Sequence, residues 1–270
     1  MNIAIIFAGG KGMRMGADIP KQFLELDGEP ILANTIRRFE QNKNIDKIYV
    51  STRPEYIDFV KRMAQVYQFS KVVDVVEGGE TALDSQYLAL ERACDEKDNN
   101  PKDSIVLMHD GVRPFISDEI IDKVIEKVKR NGNAITAVPA TETVFISRDG
   151  KTIEKIPPRQ NCYLAKAPQG YKLGELIEAF HQVQALPEGY GDCTDSCSIM
   201  RKCGKNISFV LDGEHNIKIT KPIHFAIALA IKKWLDLVQH LGEMPSKYNP
   251  FKRKNKNKNK NEKEGEEIGE

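Results

Sequence analysis

A glycine-rich segment near the N-terminus has the composition of a phosphate-binding site. It runs AGGKGMRMG over residues 8–16 and is followed by PKQ at residues 20–22. Glycines let the backbone approach a ligand closely, and successive N–H groups can form a nest for an anion. Lys11, Arg14 and Lys21 add cationic side chains to the same stretch. The spacing matches neither a P-loop nor a GxGxxG dinucleotide motif, so we predict another kind of phosphate site, with an ordinary strand-to-helix turn as the alternative.

A second segment, HDGVRP at residues 109–114, places a carboxylate directly after an apolar run. A carboxylate at the tip of a buried parallel strand, facing a phosphate loop, is suited to bind Mg²⁺. Asp110 is therefore a candidate metal ligand, although by itself it could equally be a turn or capping residue. Arg113 could act on a substrate or pair with a neighbouring carboxylate.

Two more segments carry residue types that suit a nucleotide. The segment GGETALDS at residues 78–85 has glycines that can lie against a flat base, while Asp84 and Ser85 could also be ordinary helix caps. The segment EHNIKIT at residues 214–220 contains Lys218, which could reach a phosphate or be a surface lysine. Neither segment alone defines a function.

The elements that must position these segments alternate between short β-branched runs and longer amphipathic stretches. We predict strands at Ile3–Phe7, Lys47–Ser51, Lys71–Val76, Ser104–His109, Asn133–Pro139 and Ile207–Leu211. Helical periodicity covers Ile31–Gln41, Glu55–Gln68, Asp84–Glu96, Asp118–Arg130, Leu173–Gln184, Thr194–Cys203 and Pro222–His240. Nearly continuous apolar strands are typical of parallel strands covered on both faces. The predicted fold class is α/β, a doubly wound, Rossmann-like and mostly parallel sheet with ligands at the carboxyl ends of its strands.

The alternation breaks between about residues 140 and 167. Thr143–Ile146 and Thr152–Ile156 predict two short strands around the turn at residues 148–150, with no helix to cover them. We expect this β-arm to project from the domain and to pack against a partner subunit.

Composition and charge exclude several classes of protein. The 270 residues include 40 Lys+Arg and 39 Asp+Glu, and the net charge of +1 gives no reason to expect nucleic-acid binding. No apolar run approaches the roughly 18 residues of a membrane span, and we expect no signal peptide, because no charged region precedes the first apolar segment. We therefore expect a cytoplasmic protein without a membrane partner. Cys193, Cys197 and Cys203 lack CxxC spacing, which favours idle thiols over a metal site.

The composition changes after Gly242. Residues 252–270 contain a single apolar residue, too little to offset the entropy cost of ordering. We therefore divide the chain into a domain over residues 1–242 and a disordered charged tail over residues 243–270. A solvated tail is favoured over a basic interaction arm.

Taken together and in their order, these segments resemble those of the cytidylyltransferases that act on polyol phosphates. The matching strings, spread over roughly residues 2–235, are AGGKGMRMGADIPKQF, GGETALDS, HDGVRPF, RQNCYLAKAPQGY, TDSCSIM and NIKITKP. That group contains 2-C-methyl-D-erythritol 4-phosphate and D-ribitol-5-phosphate enzymes. The first segment alone would indicate a nucleotidyltransferase, whereas the joint presence of PKQ, HDxxRP, PQ and NIKIT is much more specific.

The resemblance implies that CTP and a polyol phosphate give a CDP-polyol and pyrophosphate, with Mg²⁺ as cofactor. It implies that Arg14, Lys21 and Lys218 are catalytic and stabilise the α-phosphate and the leaving pyrophosphate. Asp110 would hold Mg²⁺. The residues implied to line the nucleotide are Ala8, Gly9, Gly10, Gly12, Gly79, Ser85, Asp110 and Gly111.

For the second substrate, the resemblance implies Arg159 and Thr194 at the polyol phosphate, with Arg113 in support. Arg159 lies on the arm, which in this family crosses to the neighbouring subunit of a homodimer and completes its site. The projecting arm expected from the residue pattern agrees with this arrangement.

Four positions depart from the family pattern, and one of them, Gly111, stands where alanine is common, which should be harmless. Ala82 stands where an arginine usually contacts the nucleotide, which could weaken CTP binding or change the base preference. Ala167 replaces a threonine, and His215 stands where some relatives place a second acidic Mg²⁺ ligand. Lys11 or Lys166 could compensate for the missing cation.

Several functions stay open at this point. The cysteine in TDSCSIM favours D-ribitol 5-phosphate, for a cell-surface glycan precursor, over 2-C-methyl-D-erythritol 4-phosphate of isoprenoid biosynthesis. A nucleotidyltransferase acting on a sugar 1-phosphate would share the first glycine loop but not HDGVRP with NIKIT. A nucleotide-binding relative that has lost turnover is a further alternative, motivated by Ala82.

Overall fold

The computed structural model of the protein describes residues 1–10 and 19–241. The tail predicted over residues 243–270 lies outside the described residues. By their internal contacts the residues form two units, Met1–Leu229 and Ala230–Glu270. The described part of the second unit is helical. None of the described helices combines the length and the apolar character needed to cross a membrane.

The first unit contains a seven-stranded sheet and a small hairpin. The strands are β1 (Asn2–Phe7), β2 (Glu25–Leu26), β3 (Glu29–Pro30), β4 (Lys47–Thr52), β5 (Val72–Glu77), β6 (Ile105–Asp110), β7 (Asn133–Pro139), β8 (Tyr163–Lys172) and β9 (Phe209–Leu211). The helices are α1 (Ile31–Gln41), α2 (Ile57–Val66), α3 (Ala82–Asp95), α4 (Asp118–Asn131), α5 (Leu173–Gln184), α6 (Ser196–Lys202) and α7 (Pro222–Leu241). β2 and β3 pair with each other, apart from the main sheet.

The strand order of the main sheet creates a binding crevice. The order is β5-β4-β1-β6-β8-β7-β9, and the pairs from β5 to β6 are all parallel. β8 runs antiparallel to both of its neighbours, whereas β9 is parallel to β7. The chain leaves β1 toward β4 and β5 on one side, then crosses to β6 on the other. A reversal of this kind leaves a crevice at the carboxyl ends of the two central strands.

Apolar side chains of the central strands alternate between two cores. Ala4 and Ile6 belong to the core that contains residues of α1, α2 and α4. Ile3 and Ile5 belong to the other core, together with residues of α3, α5 and α6. Because successive side chains of a strand point to opposite faces, a strand covered on both faces is apolar at nearly every position. The doubly wound fold predicted from these runs is confirmed.

Outside the arm, every predicted strand and helix is present, with its ends within two residues of the prediction. The strand β8 was not predicted, because it contains Pro168 and Gly170, which are depleted from strand interiors. A Cβ on Gly170 would lie 2.6 Å from Val124 Cγ1 and 2.8 Å from Val128 Cγ2. Glycine is therefore what lets α4 pack closely on the sheet at this position.

The segment predicted as a β-arm is shorter and less regular than expected. The two predicted strands are reduced to one bridge, in which Ile146 N donates to Lys155 O at 2.8 Å. From Tyr163 onward the chain belongs to β8 of the main sheet, so the irregular segment covers residues 140–162. Two short strands without further neighbours are marginal in water, which explains the correction.

Candidate functional site

A cleft of about 1390 Å³ lies at the carboxyl edge of the sheet. One side, which we call the β5 side, is lined from residues 7–10, 21–22, 53–54 and 76–88. The other, which we call the β8 side, is lined by Met108, Asp110, Val112 and Arg113, by residues within 165–169 and 194–196, and by Lys218. Because β8 is antiparallel to β6, the residues that precede Gln169 extend beyond the carboxyl end of β6 and reach the cleft.

The β5 side presents mainly backbone and small residues next to β1. Ala8 N donates to Ser51 O at 2.7 Å, which fixes the end of β1 beside β4. The buried side chain of Gln22 donates to Gly10 O at 3.3 Å. Among the described residues, the atom nearest to a Cβ built on Gly10 is Lys21 Cε, at 3.8 Å. Packing against the described residues therefore does not require glycine at position 10, and on their side the backbone there is open to a ligand.

Gly79, which precedes α3, is required by packing and not by access to a ligand. A Cβ on Gly79 would collide with the Cβ of Asp84, so only glycine fits against the first turn of the helix. Thr81 caps α3 by accepting from Asp84 N at 3.1 Å and donating its own N–H to Asp84 Oδ2 at 3.0 Å. Ser85 Oγ donates to Thr81 O at 2.9 Å. Helix capping accounts for these residues, and the capped N-terminus of α3 lies at the cleft, which Thr81 and Ala82 line.

The β8 side contains a charge cluster centred on Asp110. Arg113 Nε donates to Asp110 Oδ2 at 2.7 Å, and Lys218 Nζ lies 2.6 Å from Asp110 Oδ1. Burial acts to raise the pKa of Asp110, but the charges and hydrogen bonds of Lys218 and Arg113 outweigh it and hold the pKa below its ordinary value. The cluster thus combines one ionised carboxylate with two cations, and its excess positive charge suits an anionic substrate.

A buried histidine supports this cluster from inside the core. His109 Nε2 lies 3.1 Å from Arg113 O, and the buried Nδ1 has no hydrogen-bond partner among the described residues. The ring centroid lies 4.9 Å from that of Phe39. Burial lowers the pKa of His109 to about 4, against the effects of the Arg113 carbonyl and the Asp110 charge. The neutral ring holds the turn that carries Asp110 and Arg113 and does not face the cleft.

The structure brings most of the predicted site residues to this one cleft. Those that line it are Ala8, Gly9, Gly10, Lys21, Gly79, Ser85, Asp110, Arg113, Thr194 and Lys218. Gly12 and Arg14 lie outside the described residues.

Two predicted residues are placed elsewhere. Gly111 is buried behind the cleft, where a Cβ would lie 2.9 Å from Leu32 Cδ1, so its glycine serves packing and not contact with a nucleotide. Arg159 does not line the cleft of its own chain, and its Nη1 donates to Thr141 O at 3.4 Å. Within one chain, Arg159 is therefore separate from the other predicted residues.

Several lining residues have no role in the sequence prediction, namely Gln22, Arg53, Gln169 and Asp195. Lys166, expected only as a replacement for the cation missing at Ala82, also lines the cleft. Gln169 Nε2 donates to Asp195 Oδ2 at 2.8 Å, while Asp195 also caps α6. Gln22, Gln169 and Asp195 lie inside the PKQ, PQ and TDS strings, so the family motifs already indicated that these positions could belong to the site. Their partners are remote in sequence, however, and no string indicates that they meet.

The donor set of the cleft suits a metal that is bound mainly by a substrate. Mg²⁺ typically takes one or two protein carboxylates and completes its shell with phosphate oxygens and water. Asp110 is ionised and lines the cleft, whereas His215 does not line it. Residues 1–10 and 19–241 contain no group of three or more His, Cys, Asp or Glu side chains that could hold a metal by themselves. Within these residues, the clustered cysteines therefore do not form a metal site either.

Comparison with known sequences gives a consistent family. The family model described as IspD, 2-C-methyl-D-erythritol 4-phosphate cytidylyltransferase, matches residues 2–233. The ribitol-5-phosphate cytidylyltransferase of Vibrio parahaemolyticus is 42% identical over 232 residues, which are 86% of this chain and 95% of the relative. The 2-C-methyl-D-erythritol 4-phosphate cytidylyltransferase of Geotalea uraniireducens is 38% identical over 231 residues, 85% of this chain and 96% of the relative.

Solved structures agree with this result. The 4-diphosphocytidyl-2C-methyl-D-erythritol synthase of Anaerococcus prevotii superposes with a TM-score of 0.73 at 27% identity, covering 86% of this chain and 96% of its own. The 2-C-methyl-D-erythritol 4-phosphate cytidylyltransferase of Francisella tularensis superposes with a TM-score of 0.68 at 31% identity, covering 85% and 99%. The similarity therefore extends over nearly the whole of each relative.

Proposed function

The chain belongs to the IspD family of cytidylyltransferases, and we propose that it transfers the cytidylyl group of CTP to D-ribitol 5-phosphate. One oxygen of the acceptor phosphate attacks the α-phosphorus of CTP, and the bond from that phosphorus to the oxygen bridging to the β-phosphate breaks. The products are CDP-ribitol and pyrophosphate.

One observation carries this proposal, namely that cations from both sides line a single cleft. Lys21 lies on the β5 side, while Arg113 and Lys218 lie on the β8 side with Asp110. Two polyanions must approach each other for the transfer to occur. The protein must therefore neutralise charge and hold the two phosphates in line, and it needs no nucleophilic side chain.

The roles that follow divide the cleft by substrate. Lys21, together with Arg14, acts on the α-phosphate and the leaving pyrophosphate, and Lys218 acts on the α-phosphate from the β8 side. The backbone at Gly9 and Gly10 approaches the nucleotide, which Ala8, Gly79 and Ser85 also line. Arg113 and Thr194 bind the acceptor phosphate. Preorganised donors of this kind typically contribute about 10²–10³ to kcat each.

We further propose that Asp110 binds Mg²⁺ together with the phosphates of CTP. When bound, the ion would withdraw negative charge from those phosphates. Lys218 and Arg113 keep the pKa of Asp110 low, so the carboxylate is ready to accept a cation at any pH near neutrality.

The choice of ribitol phosphate rests on similarity and on one motif. The ribitol relative from Vibrio is 42% identical and the methylerythritol relative from Geotalea is 38% identical. Cys197, the cysteine of TDSCSIM, favours the same choice but does not line the cleft, and its N–H donates to Gln169 Oε1 at 3.1 Å. The motif therefore supports the choice through similarity, not through a cysteine side chain that lines the cleft. Methylerythritol 4-phosphate is the second candidate, because the family model and the solved relatives carry that name.

We propose that residues 140–162 mediate a homodimer. Phe145, Ile146, Ile153 and Ile156 of this segment are all exposed, and a partner subunit would cover them. Arg159 would then serve the cleft of the partner. Sedimentation of Ile153→Ser tests this against Val66→Ser, an equally apolar exposed residue on α2. Only the first variant is expected to become monomeric, and a wild-type chain that sediments as a monomer would contradict the proposal.

We also propose a cytoplasmic location. The five cysteines all lie within the described residues, and each is unpaired. Thiols are kept reduced in the cytosol, so a chain with unpaired thiols suits that compartment.

Pyrophosphate release tests the proposed reaction. CTP, UTP, ATP and GTP are each incubated with Mg²⁺ and D-ribitol 5-phosphate, 2-C-methyl-D-erythritol 4-phosphate or glycerol 3-phosphate. We expect turnover with CTP and ribitol phosphate, which is lost in Lys21→Ala and kept in the exposed control Lys43→Ala. Turnover with methylerythritol phosphate alone would establish the second candidate. CTP binding without pyrophosphate release for any acceptor would favour the alternative of a relative without turnover.

A further inference from the structure

The loop that carries Lys218 is fastened to strand β8 by two side chains without an assigned role. We call residues 212–218 the lysine loop. From β8, Lys166 Nζ donates to Gly213 O at 3.0 Å and to Glu214 O at 3.3 Å. In the opposite direction, Asn216 Nδ2 donates to Ala167 O of β8 at 2.8 Å. Strand and loop are thus joined by hydrogen bonds from both partners.

Asn216 also joins the lysine loop to the charge cluster. It is fully buried, and its backbone oxygen accepts from Arg113 Nη1 at 3.0 Å. On the far side of Lys218, Ile219 N donates to Val112 O at 3.0 Å. The backbone is therefore held on both sides of Lys218.

Lys218 itself has little else to fix its position. Its side chain is 45% exposed, and an ion pair at that exposure is screened by water and salt. A lysine also loses considerable rotamer freedom when it is held in one place. The approach of its ammonium group to Asp110 therefore depends on where the loop places the backbone.

The ammonium group of Lys166 is surrounded by carbonyl oxygens of the lysine loop, as expected for a residue that fastens it. Its ammonium group is half-buried, and two of its three donors go to carbonyls of the lysine loop. Burial lowers the pKa of Lys166, with Arg113 acting in the same direction and Asp212 and Glu214 opposing. The charges facing it thus come from the loop on one side and from the cluster on the other.

We propose that Lys166 and Asn216 are positioning residues that act through Lys218, because they fasten the lysine loop to β8 and so hold the Lys218 ammonium group at Asp110. The kinetic consequence rests on the proposed cytidylyl transfer, in which Lys218 acts on the transferred phosphate. Loosening the loop should then lower kcat more than it raises the KM for CTP.

Lys166→Met tests the proposal, since it keeps the length of the side chain and removes the donors. We expect kcat to fall by roughly tenfold to a hundredfold, the scale of a displacement of about 1 Å, with a nearly unchanged KM for CTP. Lys166→Arg restores donors and should recover most of kcat. The matched control is Lys123→Met, which removes a lysine from an exposed ion pair on α4 and should change neither constant.

A double-mutant cycle shows whether Lys166 acts through Lys218. In a Lys218→Met background, adding Lys166→Met should change kcat by less than about threefold, because coupled residues are non-additive. An undiminished loss in that background would overturn the proposal, since Lys166 would then act on a substrate directly.

Hydrogen exchange of the lysine loop gives a readout that needs no turnover. The amides of Ile217 and Ile219 donate within the described backbone, and we expect their exchange to rise at least about tenfold in Lys166→Met and not in Lys123→Met. Unchanged exchange would overturn the proposal even if kcat falls. If exchange is faster in Lys166→Met but the wild-type protein releases no pyrophosphate, the fastening role stands and the proposed reaction is refuted.

Discussion

The two sides of the cleft bind their substrates with different kinds of structure. The β5 side offers backbone, glycine and the end of a capped helix, and the contacts that cap α3 and that require glycine at position 79 join residues at most five apart in sequence. The β8 side offers charged side chains, and Arg113 and Asn216, which meet there, are separated by 103 positions. A site made of backbone depends on local geometry, whereas a site made of remote charges depends on the whole fold.

The two sides of the cleft also differ in the substitutions that each can accept. On the β5 side, Gly79 is required by the turn of α3, while Gly10 is not required by described neighbours. On the β8 side, Asp110 is buried between two cations, so a change at any member leaves the others unbalanced. Substitutions on the β8 side should therefore lower kcat more than substitutions on the β5 side.

Asp110→Asn should disrupt the charge cluster on the β8 side. It keeps the shape and removes the charge that Lys218 and Arg113 share, and we expect kcat to fall by about 10²–10³. Steady-state kinetics measures this, with circular dichroism to establish folding. Glu126→Gln, which breaks an exposed ion pair with Arg130, is the control and should retain activity. A loss below about tenfold would show that the cluster is structural.

The buried His109 should make stability depend on pH. An unfolded histidine binds a proton below its ordinary pKa of 6.5, whereas in the folded protein the pKa is about 4. The unfolded state therefore binds more protons between these values, and stability should fall as the pH is lowered from 6.5 to 4, by about 3 kcal/mol at most.

Urea denaturation at a series of pH values measures this effect. His109→Gln should flatten the slope between pH 6.5 and 4, while Gln182→Ala at an exposed position of α5 should leave it unchanged. The lowered pKa of Asp110 contributes stability above 3.8 that is lost only as the pH falls below that value, so it lies outside this window. Equal slopes in both variants would refute the assignment.

Two glycine substitutions should separate packing from ligand contact on the β5 side. Gly79→Ala should destabilise the fold by about 1–3 kcal/mol, because the added carbon collides with Asp84. Gly10→Ala should leave stability within about 0.5 kcal/mol and raise the KM for CTP about tenfold. Thermal denaturation and CTP kinetics on both variants make the comparison. An unchanged KM in Gly10→Ala would show that the nucleotide does not contact the backbone at this position.

The smallest effect concerns the missing cation at Ala82. This residue is exposed and lines the cleft at the start of α3, so an arginine there has room to reach a nucleotide. Ala82→Arg should lower the KM for CTP by about threefold, as expected for an exposed ion pair worth under 1 kcal/mol. Ala82→Gln adds length without charge and should not change the KM. A higher KM in Ala82→Arg would mean that the nucleotide lies elsewhere.

Much of the fold and part of the site follow from the sequence. Apolar runs and helical patterns place every predicted element outside the arm within two residues of its observed ends, because each pattern reflects which faces of an element are covered. The strand β8 escapes such patterns, since Pro168 and Gly170 disfavour a strand and only packing on α4 and pairing with β6 and β7 compensate.

Within the site, local sequence specifies the chemistry that comes from neighbouring residues. The glycine segment, the carboxylate at the end of β6 and the cap of α3 are each local, so residue order alone predicts them. The packing of Gly111 behind the cleft and the contact of Lys166 with the lysine loop follow from the tertiary fold alone. These contacts join segments far apart in the chain, where strand order and close packing, not local preference, determine which atoms meet.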